Sequence, residues 1–227
     1  MKILVACEES QEVCKAFRAR GHEAYSCDIQ DCSGGHPEWH IMGDVLPLLC
    51  GAPSCDWWSD SFCTRDGVVR KIPHRWDMII AFPPCTYLSN AGACRLYPKK
   101  GQLDVERYQK GLEAKEFFMR FYNADCPRIA IENPVSSRVF EMPPHSQEIQ
   151  PYMFGHPYTK KTRLWLKGLP PLAPADLVNP IGPYVPAGTG RKDRSKYGSA
   201  KRGEDAKNRS KTFRGVAKAM AEQWGDL

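Results

Sequence analysis

The stretch KILVACEESQEVCKAFRARGHEAYSCD, residues 2–28, decides the fold class. Residues 2–6 are a short apolar run of the kind that forms a buried strand. Ser10 is a helix-capping residue type, and Val13, Ala16 and Phe17 beyond it share one helical face. Gly21 ends that helix, and residues 23–28 return as a second strand that stops on an acid, Asp28. Strand, helix and strand within roughly thirty residues make a βαβ unit, the building block of parallel sheets.

The pattern continues outward. IMGDV (41–45) reads as a third strand closing on Gly43 and Asp44, and SFCTRDGVVRKI (61–72) places Asp66-Gly67 between two β-prone arms, a hairpin signal. DMIIAF (77–82) is apolar enough to be buried on both faces. Residues 104–123 are expected to form a helix with Val105, Tyr108, Leu112, Met119 and Tyr122 as its apolar stripe, widened by Phe117, Phe118 and Phe121. RIAIEN (128–133) is a fifth strand, again ending on an acid. This alternation predicts an α/β, doubly wound, Rossmann-like sheet with helices on both faces.

Past residue 135 the texture changes. Residues 143–190 are rich in Pro and Gly, with one strand expected at TRLWLK (162–167), and GVAKAMAEQW (215–224) is a helix carrying Val216, Met220 and Trp224 on one side. The expected organisation is a main domain over 1–167 with an insertion at 50–75. A Pro/Gly-rich and basic segment over 168–214 follows, and then a terminal helix over 215–227 that packs back on the main domain.

With 42% hydrophobic and 26% charged residues, the chain reads as soluble. No run approaches the ~20 apolar residues of a membrane span, and the N-terminus lacks the features of a signal peptide, so a cytoplasmic protein without a membrane partner is expected. Its ten cysteines include no C-x-x-C pair. In a reducing compartment they are expected to be free thiols. The irregular spacing of Cys50, Cys55 and Cys63, with His74 as a fourth ligand, makes a poor zinc site, and no metal is expected.

Charge is concentrated. Residues 186–215 hold ten Lys and Arg against three Asp and Glu, more than the net +6 of the whole chain. Such a block either attracts a phosphate backbone without reading sequence or serves as a solvated linker.

In an open parallel sheet, ligands bind beyond the carboxyl ends of the strands. The residues due there are Cys7, Glu8 and Glu9, then Asp28, Asp44, Pro84-Cys85 and Glu132-Asn133. Asp28 suits a ribose, whose two hydroxyls a carboxylate can accept, or is a surface-turn aspartate. Cys85 is a nucleophile at a strand end or a buried thiol. There is no Gly-x-Gly-x-x-Gly and no Walker loop.

FPPCTYLSNAG (82–92) resembles the catalytic motif of the DNA cytosine-5 methyltransferases. Pro84-Cys85 matches the invariant Pro-Cys pair, Leu88-Ser89 its Phe-Ser, and Ala91-Gly92 its Ala-Gly. IENP (131–134) is similar to the family's Glu-Asn-Val, GHPYTKKTRLWL (155–166) to the segment bearing its paired arginines, and GDV (43–45) to a cofactor motif, all in family order. The resemblance covers residues 2–166 and implies a minimal, phage-type enzyme using S-adenosylmethionine on DNA. It implies Cys85 as the thiolate that adds to carbon 6, Glu132 as the acid at ring N3 and Arg163 at the cytosine O2. It implies a cofactor site of Cys7, Glu8, Glu9, Ser10, Asp28, Ile29, Asp44, Val45 and Pro83. For nucleic acid it implies Ser89 and Asn90, opening a mobile loop over the base; the charge block adds Arg191, Lys192, Arg194, Lys201 and Arg202 as candidate phosphate contacts.

Three departures stand out. Thr86 replaces the motif's Gln, ACEESQ replaces its glycine-rich first loop, and one arginine stands where the family has two. No target-recognition domain of usual size fits within 168–214. Two other readings compete: an exocyclic-amino DNA methyltransferase, whose motif has a polar first residue and an aromatic last one, and a nucleic-acid-binding protein on a decayed methyltransferase fold. If the basic block contacts phosphates, neutralising Arg191, Lys192, Arg194, Lys201 and Arg202 flattens the salt dependence of DNA binding by up to about 0.9 in log–log slope per charge. An unchanged slope excludes those contacts.

Overall fold

A computed structural model describes residues 1–49, 61–73, 75–93, 95–99, 101–184 and 211–227. The chain starts with β1 (Lys2–Ala6), α1 (Glu12–Ala19), β2 (Glu23–Asp28), β3 (His40–Met42) and a short α2 (Leu46–Leu49). The hairpin β4 (Ser61–Cys63) and β5 (Val69–Lys71) leads to β6 (Met78–Ala81) and the short α3 (Asn90–Ala93). The long α4 (Val105–Tyr122) precedes β7 (Ile129–Pro134) and β8 (Gln147–Ile149). Then come β9 (Tyr158–Thr159), β10 (Thr162–Lys167), β11 (Gly182–Pro183) and the terminal helix α5 (Arg214–Trp224).

Seven strands form the central sheet in the order β3-β2-β1-β6-β7-β10-β8. The first five are parallel, and β10 runs antiparallel between β7 and β8. The chain is therefore a doubly wound, Rossmann-like α/β protein, as the alternation of elements predicts. The order reverses between β1 and β6, which makes that boundary the switch point of the sheet.

Successive residues on a strand leave the sheet on opposite faces, and the core divides accordingly. Ile3, Val5, Met78, Ile80, Ala130 and Leu164 meet Phe17 of α1 with Met220 and Trp224 of α5. Leu4, Ala6, Ile79, Ile129, Ile131 and Trp165 meet Leu48 of α2, Phe62 of the hairpin and Phe118 and Phe121 of α4. The hairpin turns at Gly67, whose φ of 90° is the left-handed conformation that glycine adopts freely.

Two expectations need correction. The α4 stripe was expected to rest on Val105, Leu112 and Tyr122, but these are exposed, Val105 by 71%. The phenylalanine face carries the packing instead, with Phe118 edge-on to Trp165 at 5.0 Å. Gly111 lets the Phe140 ring lie flush on the helix, where a Cβ would overlap it. The third strand ends at Met42, with the Gly43 amide making the last ladder bond to the Asp28 carbonyl (2.9 Å), and Val45 lies buried beyond the strand. The Pro/Gly-rich region also holds β8, β9 and β11, too short to leave a periodic signal.

Among the described residues no helix is long and apolar enough to cross a membrane, and no His/Cys/Asp/Glu group could hold a metal. Cys63 is exposed on β4, while Cys50, Cys55 and His74 lie outside the described residues.

Helix α5 is fastened to the body. Trp224 is fully buried and donates its indole N–H to the Pro170 carbonyl (3.0 Å), and Gln223 exchanges two hydrogen bonds with Ala173 (2.8 Å each). Trp224→Ala is expected to cost about 3–5 kcal/mol in urea unfolding; a loss under about 1 kcal/mol excludes α5 as an integral part of the core.

Candidate active site

At the switch point the chain leaves β1 through an unusual turn. Cys7 and Gln11 both take left-handed backbone angles, φ 58° and 57°, rare for residues with a Cβ. Ser10 is not the cap that opens α1. The first-turn amides of Val13 and Cys14 donate instead to the two carboxylate oxygens of Glu8, at 2.6 and 3.1 Å. Burial raises the Glu8 carboxyl to about 8 despite those two donors. Glu8 is thus committed to the helix start.

Gln11, unremarked in the sequence, holds the next loop in register. Its amide donates to Ser26 Oγ (3.2 Å) and the His36 carbonyl (2.9 Å), and its oxygen accepts from the His36 amide (3.1 Å). Ser26 Oγ also meets His40 Nδ1 at 2.9 Å, while His40 Nε2 lies 2.9 Å from the Gln30 carbonyl. Since that carbonyl can only accept, Nε2 carries a proton and donates. Gly34 lies so close that a Cβ would overlap Gln11 and the Ser10 carbonyl. A small residue facing a buried Gln is a pairing that separate sequence windows do not display.

The acids expected near a cofactor do gather here. Burial pushes the Cys7 thiol up to about 12, helped by the negative charges of Asp28 and Asp44. Burial also raises Asp28, with Glu9 adding to the effect and the Gln30 amide opposing it. Glu9 and Ser10 are buried, and Ile29, beside Asp28, is 77% exposed. Asp44 Oδ1 accepts the Leu46 amide at the start of α2 (3.0 Å). A half-buried carboxylate beside an exposed apolar residue, both at a strand end, fits the ribose and adenine of S-adenosylmethionine. Asp28 and Ile29 would hold those parts. Glu9 is the second buried acid of this turn.

Beyond β6, Pro83 is buried, Pro84 exposed and Cys85 half-buried. The loop that follows is held by backbone hydrogen bonds. The Ser89 amide donates to the Cys85 carbonyl (3.0 Å), Asn90 to Val135 (2.9 Å) and Ser137 to Leu88 (2.7 Å). Ser89 is buried with Oγ accepting from the Gly92 amide (3.2 Å), whereas Asn90 is exposed. Arg107 of α4 donates to the carbonyls of Gly92 (3.1 Å) and Thr86 (3.4 Å) and lies 5.0 Å from the Tyr87 ring centroid. Thr86 therefore contributes its backbone, and a Cβ at Gly92 would overlap its carbonyl oxygen.

Strand β7 ties this loop to the acid. Asn133 is fully buried and donates from Nδ2 to the Pro83 carbonyl at 3.0 Å. Its neighbour Glu132 leaves the sheet on the opposite face. It lines a cleft of about 30 Å³ with Phe82, Lys160, Thr162 and Phe213. Burial raises the Glu132 carboxyl, while Lys160 and a hydrogen bond with Thr162 pull it back. The Thr162 hydroxyl also sits 3.1 Å from the Lys160 carbonyl. If it donates there, a protonated Glu132 can donate to Thr162 Oγ.

Arg163 is not brought to Glu132. It pairs across the ladder with Asn133 and Glu148, and its Nε donates to Glu148 Oε2 at 3.2 Å. Cys85 is not among the residues lining the Glu132 cleft. Arg191, Lys192, Arg194, Lys201 and Arg202 lie outside the described residues.

Burial of Glu8, only partly offset by its two amide donors, makes stability depend on pH. The folded chain holds this proton up to about pH 8, against an ordinary value of 4.5. The stabilisation is complete below 4.5, falls by up to about 1.4 kcal/mol per pH unit, and is gone above about 8. Glu8→Gln is expected to flatten that decline in thermal unfolding followed from pH 5 to 8; an unaltered slope assigns the decline to other groups.

No protein-family model matches the chain, and no curated protein matches it in sequence. Among solved structures it is similar to the crystal structure of an rRNA methylase from Escherichia coli, with 14% identity and a TM-score of 0.33. The match covers 73% of this chain and 55% of that one, so the chain spans little more than half of that protein's length.

Proposed function

We propose that the chain transfers a methyl group from S-adenosylmethionine to carbon 5 of cytosine in DNA, with Cys85 as nucleophile. The observation that carries this reading is the hydrogen bond from Asn133 to the Pro83 carbonyl. It locks together, at the carboxyl edge of the sheet, the two segments that the resemblance makes catalytic, and nothing in either motif alone requires the contact.

Carbon 5 of cytosine is a poor nucleophile. Addition of the Cys85 thiolate to carbon 6 forms a C–S bond and pushes the ring electrons toward carbon 5, which can then attack. Glu132 supplies a proton or hydrogen bond at ring N3 as charge develops there, a task suited to a carboxyl whose pKa burial has raised. S-adenosylmethionine, when bound, supplies the electrophilic methyl. A base then removes the carbon-5 proton, the double bond re-forms and Cys85 leaves. The other cysteine at this edge, Cys7, is held as a neutral thiol by burial and by Asp28 and Asp44, which suits it to shaping the cofactor turn. A cytosine stacked in a duplex is out of reach of this edge, so the base is flipped out or the substrate is single-stranded.

The test incubates the purified chain with labelled S-adenosylmethionine and mixed-sequence DNA, followed by nucleoside mass spectrometry. 5-Methylcytosine is expected from the wild type and none from Cys85→Ser, with Glu132→Gln slower by at least ~100-fold. DNA carrying 5-fluorocytosine is expected to form a covalent adduct that Cys85→Ser abolishes. N4-Methylcytosine or N6-methyladenine overturns the carbon-5 assignment, and salt-sensitive binding without product overturns the enzyme reading.

A further inference from the structure

We propose that Lys160, not Arg163, is the cation that contacts the reacting ring beside Glu132, and that the pair selects cytosine by its N3 and O2. The inference rests on the function proposed above. Residues directly opposite on antiparallel strands share a face. Glu132 lies opposite Leu164, and Leu164 belongs to the core under α1 and α5. Arg163 lies opposite Asn133 and so leaves the sheet on the other face, where Glu148 takes both it and Lys161, at 3.2 Å each. No change of side-chain rotamer carries Arg163 through the sheet to Glu132.

Lys160 lies where that arginine was expected. It lines the Glu132 cleft together with Phe82, Thr162, Lys211 and Phe213. Its ammonium is 5.7 Å from the Phe213 ring centroid, and its backbone amide donates to Gln150 Oε1 at 2.9 Å. Main chain and head group are therefore both held. Phe213 immediately precedes α5, so the terminal helix positions one wall of the cleft.

The chemistry selects the ring. Cytosine presents two adjacent acceptors, N3 and O2, and beside them an amino donor. A protonated Glu132 donates to N3 while its second oxygen accepts from the amino group, and the Lys160 ammonium, a donor with no acceptor, serves O2. Thymine carries a proton on N3 and a carbonyl in place of the amino group, so both contacts to Glu132 reverse sign. Lys211 and Phe213 form one wall of the cleft that the ring enters.

The test compares Lys160→Met, Lys160→Arg and Arg163→Met in the full chain. Lys160→Met keeps the aliphatic stem, and each variant is checked for an unchanged unfolding midpoint. On cytosine-containing DNA, Lys160→Met is expected to lower kcat/KM by ~100-fold or more, at least ~10-fold beyond the loss in Arg163→Met, with Lys160→Arg restoring most of it. Independently of turnover, the Glu132 carboxyl, followed by difference infrared titration against Glu132→Gln, is expected to titrate higher in Lys160→Met and unchanged in Arg163→Met. A greater loss in Arg163→Met, or a Glu132 titration that Lys160→Met does not move, overturns the assignment to Lys160. A wild type that forms no 5-methylcytosine, while the titration shifts as expected, overturns the function and the cytosine ring but leaves Lys160 as the partner of Glu132.

Discussion

The pleat of the central sheet is the constraint on which the rest of this structure depends. A strand residue and its neighbour must leave on opposite faces. On β1, Ile3 and Val5 therefore serve α1 and α5, while Leu4 and Ala6 serve α2 and α4. The same rule divides the end of β7. Glu132 faces the cleft closed by the terminal helix, and Asn133 faces inward and grips the Pro83 carbonyl. One dipeptide thus does two jobs: one residue places an acid in the cleft, the other anchors the turn that carries Cys85.

Around the switch point, polar side chains are spent on holding loops before any is left for a ligand. Glu8 caps α1, Gln11 pins the 33–36 segment, Asp44 starts α2, and Arg107 ties down the loop after Cys85. The two amides that Glu8 satisfies are buried, and leaving either unpaired would cost about 1–3 kcal/mol. Glu9, Asp28 and Ile29 stand on one side of the switch and Cys85 on the other. The absent glycine-rich turn is replaced by a turn with two left-handed non-glycine residues, Cys7 and Gln11. A carboxylate stands at the helix N-terminus, where the glycine-rich loop of a nucleotide-binding fold would leave bare amides.

The terminal helix links stability to the site. Trp224 and Met220 bury it against α1 and the sheet, and its first turn brings Phe213 to the ring wall beside Lys160.

Apolar periodicity determined the βαβ start and the strands at 78–81, 129–134 and 162–167, and the Asp66-Gly67 turn signal determined the hairpin. Local patterns carry those features because each lies within one window of chain. It could not determine which face of α4 packs, since its phenylalanines and its expected stripe are equally apolar and only the fit to Trp165 and Phe140 chooses between them. Nor could it choose the helix cap, because Ser10 and Glu8 are both capping acceptors and the left-handed turn at Cys7 decides which one reaches the amides. The cation beside Glu132 was hidden for the same reason. Lys160 and Arg163 are three residues apart in a basic run, and only the register of β10 against β7 assigns Arg163 to the far face and leaves Lys160 at the cleft.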